Sequence, residues 1–310
     1  HSNMRAFIHD VLPLSQYGHS SVIVFFVLSG FVIAYVADTK ESEWTEFAAS
    51  RLSRIYSVVL PAVALTLVLD LVGRSLRPDL YDYPFDQLPV RIAASLGMLN
   101  EAWFVSITYL SNVPYWSVTY ESWYYVLFGL VFFLPGRTGW WAAGLVAVLI
   151  GPKLLLLLPI WAAGVFLYRW RPLAEISAGF GFALAAISFA AIPAFHILGV
   201  FSTISDWTQS LIGNRWFREL TFSRYALGDY LLCILVVMNF AGMRRIAPML
   251  APALRLVERP VRAVAAYTFT LYLLHQPLFL FLCAVIRGDN RGPWYWIIIT
   301  VATALSVALI

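Results

Sequence analysis

Charge is scarce in this sequence: Asp, Glu, Lys and Arg make up 12% of its 310 residues, against roughly 25% in an average soluble domain. With 61% of the chain hydrophobic, one aqueous globule would have too little polar surface to cover itself. Cysteine is scarcer still. The only two, Cys233 and Cys283, sit inside apolar runs, so no disulfide or metal framework is implied and no metal ligand is assigned. There is no internal repeat, no low-complexity tract and no linker, so residues 1–310 read as a single domain. A start methionine and a signal peptide are lacking too, and the final run is still apolar at Ile310; the chain reads as truncated at both ends.

What the sequence does contain is apolar runs close to the length that crosses a bilayer, about 20 residues. They lie near 20–36, 57–72, 117–134, 139–151, 153–169, 176–195, 226–242, 263–286 and 294–310, separated by short polar segments and, at Gly151-Pro152-Lys153, by a weak break. The expectation is an all-α, polytopic integral membrane helical bundle with about nine spans, in which the longer loop 73–116 covers the outer face. Basic residues of short loops set orientation. With 37–56 on the cytoplasmic side, alternation puts Arg137, Arg169, Arg171 and the cluster Arg244, Arg245, Arg255, Arg259 and Arg262 there as well. The net charge of +4 resides largely in those loops, where anionic headgroups and anionic cofactors are the available partners; membrane lipid is an expected partner and nucleic acid is not.

Ionisable groups inside spans are where function is sought, because each is costly in hydrocarbon unless paired or wet. They are Asp70, Glu121 and Asp229, toward the outer ends of their helices in this orientation, and His275, about midway along its own. An acid near a helix end can simply reach the interface, but His275 is too short to do so. Ser117 and Glu121 are spaced i,i+4 on one helix face just after Pro114. The rings of Trp116, Tyr120, Trp123 and Tyr124 beside them suit an interfacial belt. Thr268, Tyr272 and His275 form a polar stripe, which belongs against another polar face; a structural bond between helices is the competing account. Arg51 and Arg54, one turn apart, suit a phosphate or pyrophosphate, or else lipid headgroups. Ser29 and Gly30 interrupt an apolar helix with small groups that admit a neighbouring helix or a thin ligand chain.

Four strings in order, VIVFFVLSGFVI (22–33), RLSRIY (51–56), YWSVTYE (115–121) and YTFTLYLLH (267–275), resemble the membrane-bound acyltransferase 3 family, integral-membrane enzymes that O-acylate bacterial surface and exported carbohydrates. The likeness spans nearly the whole chain. It implies ten spans in the complete protein, a multi-pass location in the bacterial inner membrane, and a family histidine at the end of the first span, whose place His1 takes. Two departures are Ser57, where the family often has Pro, and Thr268, where it often has Ser.

The implied reaction is acyl transfer, most simply of acetyl, from cytoplasmic acetyl-CoA or another acyl-CoA to a carbohydrate hydroxyl, with no permanently bound cofactor. Arg51 and Arg54 would hold the donor's phosphates, and Ser29 and Gly30 would let its pantetheine arm pass. His1 is the candidate general base. Glu121 would orient it or bind the sugar, and His275 would be a second acid/base or a donor to the oxyanion; Ser117, Tyr272 and Asn100 are supporting polar groups. Intramembrane acids and a histidine also suit a proton-coupled transporter, but such a carrier gives the arginine pair no role.

Overall fold

The computed structural model describes residues 17–288 and 292–309. They form ten α-helices: α1 (Gly18–Thr39), α2 (Trp44–Leu76), α3 (Leu88–Leu96), α4 (Trp116–Phe133), α5 (Gly136–Ile150), α6 (Pro152–Arg169), α7 (Ala178–Ile197), α8 (Val200–Glu219), α9 (Ala226–Val285) and α10 (Pro293–Leu309). Four short 3-10 turns link them, and no strand occurs among the described residues. Helices α1, α2, α6 and α7 and the segment Thr221–Val285 are long and apolar enough to cross a membrane, and each of the nine apolar runs falls on a helical segment. The protein is a multi-pass helical membrane bundle.

Besides the short α3 within 73–116, two stretches between apolar runs are helical instead of loops. One is α8, whose Ser202, Thr203, Asp206, Gln209 and Asn214 hide it from a hydropathy search; it breaks at Gly213, whose φ of 79° favours glycine. The other is 243–262, which belongs to the 60-residue α9. A straight helix would separate Asp229 from Tyr272 by about 65 Å. Yet Asp229 bonds His19, which stacks on Trp116 at 5.8 Å, while Tyr272 bonds the adjacent Ser117 at 2.7 Å. Helix α9 must therefore double back as two arms. The exposed stretch between the two arms carries Pro248, Pro252 and Pro260, each lacking the N–H that would brace a straight helix.

Glycine sets the closest crossings. A Cβ on Gly30 would lie 2.0 Å from the Trp161 carbonyl oxygen, and one on Gly164 would lie 2.0 Å from that of Val27; α1 and α6 thus touch backbone to backbone. Helices α7 and α9 meet in the same way, a Cβ on Gly242 falling 2.5 Å from the Gly181 oxygen.

The segment 77–115 does not lie flat over one face, as its length suggested. Helix α3 ends inside the bundle, where its terminal carbonyls would be orphaned. Side chains of the neighbouring elements cap them: Tyr115 donates to the Ser95 oxygen (2.8 Å), Tyr56 to Leu96 (2.6 Å) and the Trp123 indole to Met98 (2.7 Å). Trp123 is the eighth residue of the 18-residue α4, so the Gly97–Met98 tip reaches well along that helix. Irregular backbone is tolerated there because protein side chains, not water, take up these carbonyls.

The return of this segment is fastened by an ion pair. Lys153, fully buried near the start of α6, donates to Glu101 (2.8 Å) and to the Val105 carbonyl (2.6 Å). Glu101 also accepts from Ser106 (2.9 Å) and Thr221 (3.0 Å). Removing one partner of a buried pair strands the other, at a cost of about 3–5 kcal/mol. Lys153→Met should therefore lower the thermal unfolding midpoint in detergent by several degrees, and Lys153→Met combined with Glu101→Leu should recover most of the loss.

Candidate active site

Helix α4 presents Ser117, Glu121 and Tyr125 at i, i+4 and i+8, along one face. Glu121 is the centre. It is 3% exposed and accepts hydrogen bonds from the Ser29 hydroxyl of α1 (2.6 Å) and from the Tyr125 hydroxyl. The Trp161 indole of α6 donates to Ser29 (3.2 Å). Ser29 is the twelfth of 22 residues in α1 and Trp161 the tenth of 18 in α6, so Glu121 sits at mid-bundle rather than toward the outer end.

On one side of this cluster stand the arginines. Arg51 lines the same cleft between α2 and α4 as Tyr125, which bonds Glu121, and Arg54 follows within one turn of α2. They differ in freedom. Arg54 is exposed, whereas Arg51 is buried, donates to Glu41 at 2.6 Å and lies over the Phe47 ring. Its Nε and the second Glu41 oxygen have no partner among the described residues.

On the other side, one turn along α4, the Tyr272 hydroxyl donates to the Pro114 carbonyl (3.0 Å) and accepts from Ser117 (2.7 Å). His275 follows one turn later on the same arm of α9. Its Nδ1–H donates to the Tyr272 carbonyl at 2.8 Å, so the neutral ring keeps its lone pair on Nε2. The ring is exposed, and the neighbouring Gln276 donates to the Tyr83 hydroxyl (2.8 Å); His275 is level with the segment 77–87, not midway through the bundle. From Arg54 to His275 the polar groups thus form a line along α4.

The remaining sequence-derived candidates have other surroundings. Gly30 is filled by the α6 backbone. Asn100 is buried, accepting from Thr119 and holding the Ile107 N–H (2.9 Å). Thr268 bonds only within its own helix, to the Ala265 carbonyl. Asp70 accepts from the Ser111 N–H (3.0 Å) and hydroxyl (2.6 Å), tying α2 to the loop before α4. His1 lies outside the described residues. Among those residues no group of three or more His, Cys, Asp or Glu could hold a metal.

Two partnerships had no sequence reading, that of Tyr125 with Glu121 and that of His19 with Asp229. Tyr125 stands i+4 from Glu121, the spacing that singled out Ser117. Asp229, fully buried, receives His19 Nε2 on both oxygens at 3.0 and 2.9 Å, and the imidazole is bracketed by Trp116 and by Tyr225 at 5.1 Å. Their separation in sequence left no signal beyond their common placement at helix ends.

A family model described as an acyltransferase domain, that of acyltransferase 3, matches residues 3–310. The chain is also 32% identical over 147 residues to "Acyltransferase MdmB" of Streptomyces mycarofaciens; the match covers 45% of this chain and 36% of that relative, so the chain spans little more than a third of the relative's length. No solved structure matches.

Because no other described side chain bonds the Asp229 carboxylate, His19→Ala should strand it in the bundle and cost about 3–5 kcal/mol. Thermal unfolding should show the drop, and the double variant His19→Ala with Asp229→Leu should restore much of it.

Proposed function

The chain belongs to the acyltransferase 3 family, and on that premise we propose that it moves an acyl group from acyl-CoA to a hydroxyl of a bacterial surface or exported carbohydrate. The observation that supports this reading is the line of polar groups along α4, which joins an arginine-bearing end to a histidine-bearing end through the buried Glu121. In this reading the protein lies in the bacterial inner membrane, the loop 37–56 faces the cytoplasm and acyl-CoA arrives there. Its pantetheine arm passes between helices toward Glu121, and the acceptor meets the thioester near Ser117 and Tyr272.

An alcohol is a weak nucleophile at neutral pH, so an imidazole takes its proton as it attacks the thioester carbonyl. The O–H and C–S bonds break, the ester C–O bond forms, and the proton ends on the coenzyme A sulfur. His1 is the base in this scheme. His275 is the second acid/base, its orientation fixed by the Nδ1–H bond to Tyr272 as a backbone carbonyl fixes many catalytic imidazoles. Glu121 binds the sugar or orients the base, and Ser117 and Tyr272 are supporting polar groups beside it. Transfer is direct, which requires only that donor and acceptor meet in one passage.

The arginines are tested first. Arg54 is free while Arg51 is engaged by Glu41, so Arg54→Ala should weaken binding of coenzyme A to the purified protein at least tenfold, and Arg51→Ala should weaken it less. Equal affinity in the folded wild type and the Arg51→Ala, Arg54→Ala double variant would remove the donor site from this end.

The histidine is tested separately. His275→Ala should reduce acyl transfer per folded molecule by about a hundredfold, within the range for losing a general acid or base, with an unfolding midpoint close to that of the wild type. A large fall in midpoint with transfer per folded molecule preserved would make His275 a packing residue.

A further inference from the structure

Between α2 and α4 runs an apolar groove of about 240 Å³. It starts at Trp44, the first residue of α2, and follows Phe47, Leu52 and Ile55 over three turns of that helix, with Trp123 and Val126 of α4 on the opposite wall. At its far end lie Gly97 and Met98, held there by the bonds from Tyr56 to Leu96 and from Trp123 to Met98, which anchor the tip of the segment on both helices.

Two polar groups mark where an occupant's head would lie. Arg51 lines the groove, and its buried Nε lacks a partner among the described residues. Tyr125 lines it as well, and the hydroxyl of the same residue donates to Glu121. The groove therefore shares one wall with the buried polar cluster and carries one guanidinium group, that of Arg51, on the other. A sugar would find almost no hydrogen-bonding partners along its length, whereas a hydrocarbon chain needs none.

We propose that this groove takes the acyl chain of the donor thioester, so that the preferred donor carries a chain of several methylenes rather than acetyl. The inference rests on the acyl-CoA reading above. Each methylene withdrawn from water adds roughly threefold to fourfold to affinity.

The test is a titration of purified protein in nanodiscs with coenzyme A, acetyl-CoA, hexanoyl-CoA and octanoyl-CoA, for the wild type and for Ala48→Phe, which fills the groove from α2. Wild-type affinity should rise at least tenfold from acetyl-CoA to octanoyl-CoA, and Ala48→Phe should bind coenzyme A and acetyl-CoA as the wild type does while losing that rise. Ser122→Leu fills the groove from α4 and should do the same if Ala48→Phe fails to fold. Affinity independent of chain length overturns the proposal and leaves the groove to a bilayer lipid tail. A rise that persists in the filled variants also overturns it, because the chain then lies elsewhere. Failure of the wild type to bind coenzyme A itself is a separate outcome; it removes the donor reading and this inference with it.

Discussion

Hydrocarbon offers no hydrogen bonds, and that constraint decides most of what this bundle looks like. Each buried polar group has to find its partner inside the protein. The three carbonyls at the end of α3 find Tyr115, Tyr56 and Trp123. Asp70 finds Ser111, Asp229 finds His19, and Lys153 finds Glu101. None of these pairings is local in sequence. All but Tyr115 with Ser95, which both belong to the segment 77–115, join a span to a connecting segment or to another span, so the cost of burying polarity becomes the means by which the connections are held.

The same constraint shapes the site. Glu121 is surrounded by hydroxyl donors from its own helix and from α1, and Trp161 of α6 supports the Ser29 hydroxyl from behind. Three helices thus converge on one carboxylate. Their approach depends on Gly30 and Gly164, since side chains at those two positions would push α1 off α6 and draw Ser29 out of reach. Gly30, first considered as a place for a ligand to pass, serves the site by letting the Ser29 beside it meet Glu121.

What was legible in the sequence was what depends on one helix at a time. The apolar runs marked the helices because hydropathy is a local property, and the i,i+4 spacing placed Ser117 and Glu121 on one face because helix geometry is local as well. Helix α8 was missed for the converse reason, its polar residues giving it no apolar run. Lys153 appeared only as part of a weak break between two runs, although it is among the most deeply buried side chains; its burial depends on Glu101, 52 residues away. The engagement of Arg51 by Glu41 and the entry of the α3 tip into the bundle are likewise tertiary facts. His1 stands on the family resemblance alone, while the neighbours of Glu121 and His275 are set by packing that no motif encodes.

The two glycine crossings divide the bundle mechanically. Where backbones touch, neither helix can slide or tilt without collision, so α1 with α6, and α7 with the first arm of α9, behave as two stiff struts. Between the struts the contacts are made by side-chain tips, such as His19 on Asp229, and the second arm of α9 is likewise held to α4 by Ser117 and Tyr272. Tip contacts can open and re-form with rotamer changes. Any breathing that admits a large substrate is therefore confined to these seams, with the proline-rich stretch of α9 as the natural pivot between its arms.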